Sequence, residues 1–546
     1  MQKTVAQAIV ETLLKRGVDL VFGMPGSHIN ALYAVLSTTS IRHITVKHEN
    51  NGAVMADVYG RLTGRPGVLI TTAGPGATNA LSGIAAAYNA VSPIVHISGS
   101  VHRGATNEGF HGCSSEDFLL NVFQPVTKWS SRIVKPELVP KILNEAFDIA
   151  VSGKPGPVHV QIPWDFYRIG PVEMEPIPAR GAQQQGVRDR STLVSMMKTL
   201  DTASYPVICA GKGVLAQRGQ ELLRQFAEAM GMPVITPRTT SGIFPTDHPL
   251  FAGFASDFMT QPVAKETLSK ADVVLAIGLT ADTEDLEIFH RDGKGRFLFI
   301  GFDSSNRTDP KAEMGMVENS RVALQEMLSI VGNRRKAWDA SISRMMKAQD
   351  THLDEWVESS RNSRPIHFAI VLKELAPFLE QNALCITDVG SHAILSGVFL
   401  PLYSKAEILS PGSYGGMGFA LPGTIVAKLL QPDRRIVGIT GDGSFLLSCS
   451  DFVTAVEHKL PIVTVILNDS RYGMMRYLSL KRYGQSYPWD IGQVDFVKHV
   501  ESCGGIGFRV EDPSELEPAF KEAFSAQVPT VVDVISKGDP HPPMET

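Results

Sequence analysis

Two oxygen-bearing side chains stand at the ends of neighbouring apolar runs in the last third of the chain. Residues 436–440 (IVGIT) lead into Gly441-Asp442-Gly443-Ser444-Phe445, and residues 462–467 (IVTVIL) lead into Asn468-Asp469-Ser470. The Asp442 carboxylate and the Asn468 amide oxygen are hard donors suited to Mg²⁺. Glycines on both sides of Asp442 let backbone N–H groups approach a diphosphate at the carboxyl edge of a parallel sheet. Gly-Asp-Gly alone is a plain turn; an asparagine at the end of the next strand makes it a metal and diphosphate site.

A third candidate is Glu49, which follows the short run 44–46 and precedes a helical pattern over 53–61. It sits where strand gives way to helix, and sites form at such edges. Taken alone, it would be a helix N-terminal charge. Residues 207–216 (VICAGKGVLA) carry a G-x-G-x-x-A turn between strand and helix, half of a dinucleotide fingerprint. The acidic residue that should close the next strand is missing from Val234-Ile235-Thr236-Pro237-Arg238, so close strand-to-helix packing explains the glycines better than NAD does.

The elements around these residues follow one pattern. Short apolar runs at 20–22, 44–46 and 68–72 alternate with helical stretches such as 5–16 and 77–90, as in a parallel sheet with crossover helices. The pattern stops over 171–191, resumes with runs at 205–209, 233–236, 273–277 and 297–300, and breaks again over the charged segment 333–364. It returns with 384–387, 436–440, 462–467 and 530–535. The expected fold is α/β, with three doubly wound parallel-sheet domains over 1–170, 192–332 and 365–546, joined by a linker at 171–191 and a connecting helix within 333–364. With 51 basic and 56 acidic residues the net charge of −5 carries no footprint for nucleic acid. Five scattered cysteines make neither a disulfide framework nor a C-x-x-C pair, and no apolar run is long enough to span a membrane or form a signal peptide. A cytoplasmic protein with a small-molecule substrate is expected.

GDGSF followed by LND resembles the diphosphate- and Mg²⁺-binding motif of thiamine diphosphate (ThDP) enzymes. Phe22-Gly23-Met24-Pro25-Gly26-Ser27, His48-Glu49-Asn50, residues 73–79 (AGPGATN) and Gly415-Gly416-Met417-Gly418-Phe419 are similar to the acetolactate synthase and pyruvate oxidase branch. The resemblance implies a pyrimidine-binding domain, a middle domain and a diphosphate-binding domain, in that order. It implies that the Ser470 carbonyl is a third Mg²⁺ ligand beside Asp442 and Asn468, and that Met417 wedges under a bent cofactor. It further implies that the Gly415 carbonyl receives the aminopyrimidine, and that Gly390, Ser391, His392, Gly441, Gly443 and Ser444 surround the diphosphate. For Ser391 and His392 the alternative is a solvated loop. Glu49 would hydrogen-bond the pyrimidine N1′ and so help remove the thiazolium C2 proton. The resemblance implies that the resulting ylid would attack a 2-oxo acid, that CO₂ would leave, and that the enamine would be protonated or captured by a second carbonyl. Glu49 and Gly415 would come from different subunits of a homodimer or homotetramer.

The match departs from acetolactate synthase at four places. His111, after Phe110, replaces a usual Gln, and an imidazole relays protons near neutral pH as an amide cannot. Ser27 replaces a usual Gly and resembles the substrate-binding Ser of benzoylformate decarboxylase; its alternative is a helix N-cap. The Trp that selects 2-oxobutyrate is replaced near Leu478. Residues 279–283 (LTADT) lack the Arg-Phe-Asp-Asp-Arg pattern that accompanies flavin. The expectation is a ThDP- and Mg²⁺-dependent decarboxylase or carboligase of a 2-oxo acid or aldehyde, with Glu49, His111 and Ser27 as catalytic residues. An FAD-containing pyruvate oxidase-like enzyme and a benzaldehyde-type lyase remain the alternatives.

Overall fold

The computed structural model describes all residues except 1–2, 103–109, 114, 171–186, 238–241, 257–259, 280–283, 303–308, 333–335, 339 and 540–546. Three parallel sheets follow one another along the chain. The first runs, in spatial order, Arg42–Thr45, Leu20–Gly23, Gly67–Thr71, Ile94–Ser100, Val158–Pro163 and Trp129–Arg132. The second runs Met314–Val317, Arg296–Gly301, Val273–Leu279, Pro206–Ala210, Val234–Pro237 and Phe251–Ala255. The third runs Ile366–His367, Thr530–Lys537, Val463–Asn468, Ile436–Gly441, Leu384–Thr387 and Glu407–Leu409, with Ile506–Val510 also paired to Thr530–Lys537. Most central strands are buried on both faces, which is why they read as unbroken apolar runs.

The first and third sheets share one hydrophobic core, and the middle domain has its own. The helix Glu49–Thr63 is buried on every side from Asn51 to Gly60, and it stops at Gly64, whose positive φ of 69° closes it. The helix Ala420–Leu430 is buried from Ala420 to Ala427. The two pack together, bringing Val54 and Val58 into one cluster with Leu421 and Ile425. Gly423 allows the close approach: a Cβ there would stand 3.4 Å from Val58 and 3.0 Å from Ile386.

The segment before the third sheet forms the helix Ala340–Ser359, which buries Ile342, Leu353 and Val357 and stacks Trp356 on Phe399 at 5.7 Å. Residues 442–446 form the short helix Asp442–Leu446, with Gly441 in extended backbone as its N-cap. In the third sheet Gly441 pairs with Leu467, so the register sets Asp442 beside Asn468 at the strand ends.

Candidate active site at two sheet edges

At the carboxyl edge of the third sheet a cavity of about 350 Å³ is lined by Gly390, Ser391, His392, Gly415, Met417, Gly441, Asp442, Gly443 and Ser444, with Asp388, Asp469 and Leu478. Ser391 opens the helix Ser391–Tyr403, and both Ser391 and His392 are buried, which rules out the solvated-loop alternative. The His392 ring explains two of the glycines: a Cβ on Gly390 would stand 2.9 Å from it and one on Gly441 3.0 Å. Burial pushes this imidazole down to about 3, and its Nε2 has no hydrogen-bond partner among the described residues.

Asp442 is buried. Its Oδ1 accepts from the Gly443 N–H at 2.9 Å, while its Oδ2 has no partner among the described residues. Burial pushes the carboxyl up to about 6 although the Gly443, Ser470 and Arg471 backbone N–H groups pull it down. Asp469 beside it is pushed up to about 7 by burial and by the Asp442 charge. Two crowded carboxyls, one with an oxygen unpartnered among the described residues, lie beside Arg471, and their hard oxygens would suit a divalent cation. Asn468 and Ser470 do not line the cavity but adjoin it. The Asn468 Oδ1 accepts from the Ser470 N–H at 3.0 Å, and its amide donates to Asp533 at 2.9 Å. Ser470 adopts a left-handed φ of 53°, which makes the sharp turn after the strand.

Asp388, which sequence reasoning missed, ties this edge together. Its carboxylate accepts from the Val389 and Gly418 N–H groups, both at 2.9 Å, and from Ala420 at 2.8 Å. It thereby joins the turn before Ser391 to the glycine-rich segment holding Gly415 and Met417. Ser444 adds a hydroxyl bond to the Val389 carbonyl at 3.1 Å.

At the carboxyl edge of the first sheet Glu49 is 3% exposed and accepts from the Asn79 amide at 2.9 Å. A Cβ on Gly76 would stand 3.1 Å from Glu49 Oε1, and one on Gly74, in the same turn, 2.6 Å from the His111 carbonyl. His111, at a φ of 64°, stacks on Phe110 at 4.0 Å and on His28 at 4.9 Å. Ser27 Oγ lies 3.1 Å from His28 Nδ1. The helix that follows, Asn30–Leu36, has Ile29 at its N-cap and no side-chain cap, so the N-cap alternative for Ser27 fails. His28 was not anticipated; burial and the His111 charge hold it below its ordinary pKa against the pull of the Phe110 carbonyl. Glu49 does not line the cavity of its own chain.

Three family models match the chain in order: "Thiamine pyrophosphate enzyme, N-terminal TPP binding domain" over 3–120, the central domain over 193–327 and the C-terminal TPP binding domain over 388–534. A probable acetolactate synthase large subunit of Methanocaldococcus jannaschii is 31% identical, covering 97% of this chain and 91% of its own length. Acetolactate synthase isozyme 3 large subunit of Escherichia coli is 30% identical over 95% of this chain and 92% of its own. The chain belongs to the thiamine diphosphate enzyme family.

It is a ThDP-dependent decarboxylase or carboligase of a 2-oxo acid, related to the acetolactate synthases. A thiamine diphosphate-dependent 4-hydroxybenzoylformate decarboxylase from Rhodococcus jostii RHA1 has the same fold, with a TM-score of 0.82, 24% identity, and coverage of 98% of this chain and 100% of that one. The third-sheet cavity suits the cofactor, having glycine backbone at its rim, an unpartnered carboxylate oxygen and a helix N-terminus at Ser391. Residues 280–283, on which the flavin expectation turns, lie outside the described residues. No described helix is long and apolar enough to cross a membrane.

Proposed function

We propose that the chain decarboxylates a 2-oxo acid at a site shared between two copies and releases its product chiefly by protonation at a histidine pair. Asp442, Asn468 and the Ser470 carbonyl would hold Mg²⁺, and Gly390, Ser391, His392, Gly441, Gly443 and Ser444 would surround the diphosphate. Gly415 and Met417 would take the aminopyrimidine. When bound, ThDP would supply an electron sink for decarboxylation. Glu49, fixed by Asn79, would face the aminopyrimidine ring as its proton partner, and Ser27, His28 and His111 would receive the substrate. Residues 1–170, 192–332 and 365–546 serve as pyrimidine-binding, middle and diphosphate-binding domains, with 171–191 and 333–364 as connections. The site works in the cytoplasm, in keeping with five unpaired cysteines.

The observation that carries the product assignment is the His28–His111 stack, seated on the same glycine turn as Glu49. A proton donor there favours release over capture by a second 2-oxo acid. The shared site is supported by Glu49 standing outside its own chain's cavity, and by exposed Tyr414, Leu447, Tyr472 and Met475 near the cavity mouth, surface suited to a second copy. The second reading is acetolactate formation, favoured by the names of the relatives. Chromatography of products from pyruvate and from an aromatic 2-oxo acid, supplied separately, decides between them: aldehyde supports protonation, and acetolactate as the dominant product overturns it.

A further inference from the structure

The carboxylate of Asp451 lies in the third domain, on the turn that follows the helix Asp442–Leu446, yet its partners lie in the first. Its Oδ1 accepts from the Lys47 backbone N–H at 3.0 Å and its Oδ2 from the Asn51 amide at 2.5 Å. Thr454 adds a hydroxyl bond at 2.8 Å. Lys47 and Asn51 stand two residues before and two after Glu49, so one carboxylate grips both sides of it. Asp451 and Asn51 are both fully buried. The Lys47 ammonium strengthens the grip, donating to the Thr454 hydroxyl at 3.3 Å and to Glu457 at 2.8 Å.

Burying a carboxylate is costly, and stability alone is better served by apolar packing of the kind that surrounds this contact. We infer that Asp451 is a positioning residue: it fixes the first turn of the helix Glu49–Thr63 against the third domain and so sets where the Glu49 carboxylate points. The inference rests on the reading of Glu49 as the acid that faces the aminopyrimidine. Each chain then orients, with its own diphosphate domain, the carboxylate it offers elsewhere.

The test uses the full-length holoenzyme and four variants: Asp451→Ala, Asp451→Asn, Asn51→Asp with Asp451→Asn, and Glu49→Gln. The readouts are exchange of the ThDP C2 proton by NMR under cofactor saturation, ThDP affinity by calorimetry, and melting of the apoprotein. Asp451→Ala should slow exchange by about tenfold to a hundredfold, as misplacement of a reacting group does, with affinity changed much less. Asp451→Asn keeps an acceptor for the Lys47 N–H and should lose less. The exchanged pair re-forms the bond in reverse and should restore exchange to near the wild-type rate. Exchange at the wild-type rate in Asp451→Ala, or a lowered melting point with exchange intact, would overturn the inference. Should Asp451→Ala not fold, failure of the exchanged pair to outperform Asp451→Asn overturns it. If Glu49→Gln also exchanges like wild type, it is the reading of Glu49 that has failed.

Discussion

At the carboxyl edge of the third sheet, Asp442 and Asp469 face a cavity with their carboxyls pushed up to about 6 and about 7; at the edge of the first sheet, His28 is held below its ordinary value and stacks on His111. Both edges come from parallel strands with crossover helices. One collects buried carboxyls whose ionisation is opposed, the other collects stacked imidazoles, of which His28 is held below its ordinary value. The difference shows that the topology supplies only the edge, and that the residues placed there decide its charge. An edge of buried carboxyls suits a metal-bound diphosphate; an edge of stacked imidazoles suits proton transfer to and from a substrate.

The sharpest break in this comparison removes the acidic pole. Asp442→Ala should lower affinity for ThDP with Mg²⁺ by about a hundredfold or more, since a hard ligand is lost from a site that neutralises a diphosphate. Calorimetry checks it, and full affinity would remove the third edge as the cofactor site. The corresponding test of the first edge is Glu49→Gln, which should slow C2 proton exchange by roughly a hundredfold while leaving ThDP affinity nearly unchanged. Mixing these two inactive variants and letting subunits exchange should return about a quarter of wild-type activity, because a mixed dimer then rebuilds one intact site. An inert mixture whose subunits have demonstrably exchanged would argue that each chain completes its own site.

A finer test uses pH. An ionised Asp442 is penalised by burial in the folded chain and escapes that penalty on unfolding, so the cost is full above the folded value near 6 and gone below the unfolded value of about 3.9. Asp442→Asn should therefore stabilise the cofactor-free protein by about 2 kcal/mol at pH 7, with the advantage fading toward pH 4. Melting curves across that range measure it; a variant less stable than wild type at pH 7 contradicts the electrostatic account. The smallest effect belongs to His111→Gln, expected to shift the ratio of aldehyde to 2-hydroxyketone by about fivefold toward the ketone, with ThDP affinity retained. An unchanged ratio would detach the histidines from product fate.

The third edge was the more legible in the sequence. Its glycines and Asp442 stand in one short run, and their spacing reflects local demands: room for His392 and a turn after a strand. The groups that were not legible act across long separations. Asp451 meets Asn51 four hundred residues away, and Asp388 meets Ala420 thirty-two away, so no window of sequence could show either pair. His28 passed unnoticed because its meaning comes from the ring of His111. Among the strands, Trp129–Arg132 and Ile506–Val510 are largely half-exposed and carry polar residues where a central strand would be apolar, while the fully buried Ile94–Ser100, Val158–Pro163 and Phe251–Ala255 also went unread. The dipeptide-level departures at Ser27 and His111 were visible, but only the structure shows that they meet through His28.

The shared core of the first and third sheets has a consequence for how the chain is made. Val54 and Val58 leave the ribosome long before Leu421 and Ile425, which cover them. At about 5–20 residues per second the delay is on the order of 20–70 s, during which an apolar helix face waits for its cover while the middle domain folds between. The first domain is thus a nascent-chain liability that only the finished polypeptide resolves. A truncated transcript or a stalled ribosome should leave an aggregation-prone fragment that depends on chaperones, even though every residue of its own sheet is present.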